Sequence, residues 1–215
     1  MIYELLENLR KDLSVIEDEI EDLLYYRDIF KYLNHQIIDS DIHKDNPYLN
    51  FFANGFFVSS ISSIFRLLDS NINSISLLNL LREIVANREL FTRDWYLKAA
   101  EEIVLLEGEI LHPNDDFSLF SNLEKVLKED IETLLTMKFQ LAPLRNKRIA
   151  HRDRKYLGDF NLEFREIDQY IDTLDELGVK YSLLLTQIGF TDHTMHVKIL
   201  RKYDWKAELN FENKD

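Results

Sequence analysis

Breakers are scarce in this chain: 5 glycines and 3 prolines in 215 residues. A fold of many short strands needs such residues at its turns, so their scarcity favours a few long helices. The apolar spacing agrees. Within residues 2–38, Leu9, Leu13, Ile16, Ile20 and Leu23 step by three and four, a heptad-like seam. That seam suits either a contact inside the chain or a contact between two chains. Beside it, EDEIED (Glu17 to Asp22) reads as a solvated acidic face.

A loop closed by Pro47 leads into a second helix over about 48–69. Residues 46–65, NPYLNFFANGFFVSSISSIF, carry no charge over a membrane-spanning length. Asn50, Asn54 and the serines dilute the run, and Phe57, Ile61, Ile64, Phe65 and Leu68 follow helical spacing. The expectation is a buried central helix and no membrane span. Gly55, Ser59, Ser60 and Ser63 would let a neighbouring helix approach closely. For Arg66 and Asp69 the spacing predicts an i, i+3 ion pair.

Ser74 is the expected N-cap of a third helix, with Leu77, Leu78, Leu81, Ile84 and Val85 as its buried stripe. A helix restarts at Thr92–Trp95 and runs to about Leu106, where Gly108 and Pro113 break the chain. The next begins near Phe117 and is kinked or interrupted by Pro143. The last long helix spans about 162–187, after a break at Leu157–Asp159. These elements predict one all-α domain over 1–190, a bundle of five or six main helices with long N-terminal and C-terminal helices. Residues 191–215 form a tail or arm; Met195, Val197 and Ile199 alternate like a strand.

The hydrophobic fraction of 46% fills a core and excludes a disordered chain. There is no cysteine, which excludes disulfides, thiol nucleophiles and Cys-ligated zinc and suits a reducing cytoplasm. No signal peptide is expected at MIYELLENLRKD. The formal net charge of -13 argues against a protein that coats nucleic acid nonspecifically. Phosphate-binding glycine loops and the G-x-S-x-G nucleophile turn are missing. Glu109 and His112 have the spacing of half a di-iron site without its second half, and His193 with His196 is a weak metal pair. His35 and His43 carry no assignment.

One stretch stands against the acidic background. RNKRIAHRDRK, residues 145–155, holds Arg145, Lys147, Arg148, Arg152, Arg154 and Lys155 around His151, with Asp153 as its one acid. Histidine takes and gives a proton near neutrality, and arginine forks onto phosphate oxygens. Together they are sufficient for metal-free RNA cleavage: the histidine moves a proton, and the arginine holds the charge that builds on phosphorus. Nearby cations favour a neutral His151. Arg145 and His151 are six residues apart, on different faces of an ideal helix. They converge only if the helix bends or ends between them, or if the site is shared with a second subunit. The same run also suits a plain helix C-terminus, where cations meet the helix dipole.

RNKRIAHRD resembles the R-x(4–6)-H motif of HEPN domains, all-α domains common in bacterial and archaeal toxins, abortive-infection systems and CRISPR effectors. SSIFRLLDSNINSISLLNLL (Ser62 to Leu81), followed by LRNKRIAHRD, is similar to the abortive-infection U-type (AbiU-like) branch of these proteins, over about residues 50–155. The resemblance implies a metal-independent endoribonuclease without a cofactor. It also implies a homodimer whose two motifs face each other across one composite site. Arg145 and His151 would be the catalytic pair, and Asn146 the polar residue that follows the arginine. Arg148, Arg152, Arg154 and Lys155 would position phosphate, a step taken from their charge. A nucleotidyltransferase-paired branch carries a tyrosine two residues after the histidine. Here Asp153 stands there, free to orient the imidazole or to pair with Arg152 or Arg154. RNA is the expected substrate, and an antitoxin protein is a candidate partner. The competing class is a noncatalytic HEPN-like module that dimerises or binds a nucleotide or RNA.

Overall fold

The computed structural model describes residues 2–38, 47–98, 122–145 and 164–186. All regular structure among them is helical, with no strand. Helix α1 spans Ile2–Ile38, α2 Pro47–Leu67, α3 Leu77–Ala86, α4 Leu123–Leu144 and α5 Phe164–Thr186. A 3-10 turn, Arg88–Leu90, follows α3, and residues 93–98 are helical, their start capped by the Thr92 hydroxyl, which accepts from the Trp95 amide at 3.1 Å.

The long first helix is the axis of the molecule. Its heptad-like seam, Leu9 to Leu23, is 0–1% exposed. This settles the seam as an internal contact, made with α5, α2 and α3. Helix α5 answers with Ile167, Ile171, Leu174, Tyr181 and Leu185, all fully buried. The polar pairs flanking this contact set its direction. Arg10 donates to the Leu185 carbonyl at 2.8 Å, Arg27 pairs with Asp172, and Lys31 with Asp168 at 2.8 Å. As α1 advances, its partners on α5 recede, so the two helices are antiparallel. Helix α2 is antiparallel to α1 by the same logic: Glu19 meets Arg66, and the Phe30 ring stacks on Phe56 with centroids 4.5 Å apart. Helix α4 runs against α5, with Asp130 bonded to Lys180 at 2.6 Å and Tyr181 at 2.5 Å, and Gln140 accepting from the Tyr170 hydroxyl at 2.9 Å.

Several local expectations are corrected. Ser76, not Ser74, caps α3: its backbone is extended and its hydroxyl accepts from the Asn79 amide at 3.2 Å. Ser74 instead donates to the Asp69 carboxylate at 2.7 Å. The buried stripe of α3 takes Leu80 where Val85 was expected; Val85 is half-buried against the same core. The Arg66–Asp69 ion pair does not form. Arg66 forks onto Glu19 through Nε (3.0 Å) and Nη2 (2.5 Å), because a carboxylate across the α1–α2 contact offers both oxygens at once. The acidic face of α1 is therefore only partly solvated. Asp18 and Asp22 are exposed, while Glu17 and Glu19 are half-buried. Burial raises the Glu17 carboxyl above its ordinary range, a bond from Ser182 pulling the other way.

Helix α2 is not enclosed either. Ser60, Ile61, Ser63, Ile64 and Phe65 are buried and Ser62 half-buried, but Gly55 and Ser59 are exposed, as are Phe51, Phe52 and Val58. None of the described helices is long and apolar enough to cross a membrane. The tail 191–215 lies outside the described residues.

Candidate functional site

Arg145 is the first residue of the basic run and the last described residue of its segment. Leu134, Leu141 and Leu144 of α4 are fully buried, which fixes the helix's rotation. Pro143 neither ends nor interrupts the helix. It lies in the last turn, where a missing amide removes one ladder bond. The turn re-closes beyond it through the Arg145 amide, which is bonded to the Ala142 and Leu141 carbonyls. Arg145 keeps helical backbone angles, φ -57 and ψ -52.

The exposed Arg145 side chain lies over the ring of Phe65, its guanidinium carbon 5.1 Å from the centroid. Phe65 belongs to the buried edge of α2, at 9% exposure. The ring gives the arginine a flat, weakly attractive seat and makes no claim on its N–H donors. Among the described residues those donors have no hydrogen-bond partner, which leaves them available for an oxyanion.

The next described residue after the run is Phe164. Its ring sits beside Phe30 (4.8 Å), Phe56 (6.2 Å) and Phe57 (6.3 Å). Both ends of the intervening stretch are thus fastened to α2, at Phe65 and at Phe56–Phe57. Nine residues of helix separate these points, about 14 Å along the axis. Asn146, Lys147, Arg148, His151, Arg152, Asp153, Arg154 and Lys155 lie in that stretch, outside the described residues. Of the expected site residues, the structure places Arg145.

A hydrogen-bonded loop, Asp69 to Ser76, links α2 to α3 beside α4. The Asp69 carboxylate accepts from the Asn71 amide (3.1 Å) and the Ser74 hydroxyl (2.7 Å), and its carbonyl from the Ser76 hydroxyl (2.7 Å). Asn79 donates to the Asn71 and Ser74 carbonyls at 2.6 and 3.0 Å, and Lys138 of α4 to Ser70 at 2.8 Å. The Ser74 hydroxyl first, then the Asn71 amide and the Lys138 charge, hold the Asp69 carboxyl below its ordinary range. On the other side of Phe65, burial alone would raise Glu19. The bonds from Arg66 and Ser63 outweigh it and keep that carboxyl low as well. These two networks brace the C-terminal half of α2, and with it the seat of Arg145.

Among the described residues no group of three or more His, Asp or Glu side chains is placed to hold a metal. Glu109, His112, His193 and His196 lie outside those residues. A surface depression between Arg88, Phe91 and the start of α4 is lined by charges that neutralise one another: Glu124 with Arg88 at 3.0 Å and with Lys128 at 2.7 Å. Phe65 is the residue that sequence reasoning missed. Its apolar spacing places it in the α2 stripe, and nothing in the sequence pairs it with Arg145, 80 positions away.

Residues 6–203 match the family model HEPN_AbiU2, described as AbiU2. No curated protein and no solved structure matches the chain.

Proposed function

We infer the function from a premise that the match establishes: this chain belongs to the AbiU2 family of HEPN proteins. We propose that it is a metal-independent endoribonuclease, a toxin or abortive-infection effector acting on RNA in the cytoplasm as a homodimer. The observation that carries this reading is Arg145, exposed at the end of α4 and seated over Phe65, with no partner for its donors among the described residues.

In the proposed reaction the 2'-hydroxyl oxygen of a ribose bonds to the adjacent phosphorus. The bond from phosphorus to the 5'-oxygen of the next nucleotide breaks. The 2'-hydroxyl proton passes to a base, and the leaving 5'-oxygen collects a proton. His151 is the group suited to these transfers, and Arg145 to the charge that accumulates on the phosphoryl oxygens. The products are a 2',3'-cyclic phosphate and a 5'-hydroxyl. Asn146, Arg148, Arg152, Arg154 and Lys155 would position the phosphates, with Asp153 supporting the imidazole. A site shared by two copies removes the need for Arg145 and His151 of one chain to meet.

The test is cleavage of a mixed RNA pool in EDTA by the wild-type protein, by His151→Ala and by Arg145→Ala. Cleavage to cyclic phosphate ends by the first alone supports the proposal. A requirement for Mg²⁺, or 5'-phosphate ends, overturns it. RNA bound but uncut by wild-type dimer favours the noncatalytic module.

A further inference from the structure

A solvent-facing helix surface normally carries charge. The outward face of α2 does not. Phe51, Phe52 and Val58 are 73%, 51% and 44% exposed, and Gly55 and Ser59 on the same face are exposed too. The first charge on this face is Arg66, which Glu19 already neutralises. Large apolar side chains gathered on one uncharged face mark a surface that another molecule covers.

Charge decides which molecule. The chain carries a net -13, so a two-fold contact through most of its surface would set acid against acid. An uncharged face is compatible with its own copy, as a two-fold interface requires. RNA is the poorer occupant, since the face offers no cation to phosphate. Leu135 and Phe139 of α4, also exposed, share their helix face with Lys128 and Glu132, both exposed, and lack this property.

We propose that the outward face of α2 is the surface through which two copies of this chain associate. The proposal deepens, and rests on, the dimeric reading given above. It places the contact on the helix that also seats Arg145 and anchors Phe164.

Gly55 supplies a clean test. A side chain built there would meet nothing within 4 Å of its Cβ, so Gly55→Glu leaves the fold intact while putting like charges across a two-fold contact. Mass would be measured by light scattering and sedimentation on the full chain, with thermal melting alongside, for wild type, Gly55→Glu, Val58→Glu and the control Phe139→Glu. Wild type and control are expected at twice the 25.7 kDa of one chain. The two α2 variants are expected as monomers, with the dimer dissociation constant raised about thirtyfold or more, the effect of a central interface residue. Wild type found as a monomer, or both α2 variants found as dimers, overturns the proposal. A monomeric wild type whose RNA binding is lost in the α2 variants would reassign the face to RNA. The nuclease reading is scored separately by RNA cleavage. Its absence from a wild-type dimer that Gly55→Glu dissociates leaves this surface standing and removes the nuclease.

Discussion

At the scale of single residues, the seat of Arg145 is open to a graded test. A cation over an aromatic face near the surface contributes about 0.5–1 kcal/mol. If Arg145 stabilises the transition state, Phe65→Leu should lower kcat by about two- to fivefold, the rate equivalent of that energy. KM should change less, and Phe65→Tyr should restore the rate. A purely structural role would lower melting temperature and leave kcat per folded molecule unchanged. Asp69 provides a second residue-scale case. Its folded carboxyl titrates below the ordinary range because Ser74, the Asn71 amide and Lys138 favour the charged form. A depressed folded value contributes stability that is present above the unfolded value and lost as pH falls through the folded one. Asp69→Asn should therefore melt below wild type at neutral pH, by the equivalent of roughly 0.5–2 kcal/mol for a loop and cap interaction. The gap should close as pH drops below the ordinary carboxylate range. A gap constant across that range would assign the loss to shape, not charge.

At the scale of elements, the seam of α1 is buried within one chain, so its loss should weaken the fold without altering self-association. Ile20→Ala should cost about 2–4 kcal/mol in chemical unfolding, with the oligomeric mass of the folded fraction unchanged. Helices α1 and α5 were legible in the sequence because their faces repeat every three to four residues over many turns; Leu9 to Leu23 and Ile167 to Leu174 are where the spacing puts them. What was illegible was set by partners distant in sequence. Ser74 is the cap that the sequence suggests for α3, but Asp69 takes its hydroxyl and the cap falls to Ser76. Arg66 has a carboxylate three residues on, yet pairs with Glu19, 47 positions back. Helix α2 reads as enclosed because its composition is apolar all round, and composition does not say which face has a partner. The site divides likewise. The type and place of the basic run were readable, whereas the Phe65 ring under Arg145 depends on how α4 lies against α2.

At the scale of the whole molecule, an acidic chain is expected to bind RNA through one local cationic run. Beyond about 8–10 Å, physiological salt screens most of the repulsion from the remaining surface. The phosphate contacts are then those of the six cations between Arg145 and Lys155. Each cation that neutralises a phosphate of a single strand contributes about -0.7 to the slope of log K against log salt. Replacing Arg148 and Arg152 together should make that slope shallower by about 1.4 per binding site, with weaker binding to all sequences alike. Replacing Lys125 and Lys128, whose partners are Glu129 and Glu124, should leave the slope unchanged, because those cations are neutralised at home. Fluorescence anisotropy with a short unpaired RNA and the His151→Ala protein, measured from 50 to 200 mM salt, separates the two. Equal loss from both pairs of substitutions would mean that the molecule presents a diffuse field to RNA and that the run from Arg145 to Lys155 has no special part in binding it.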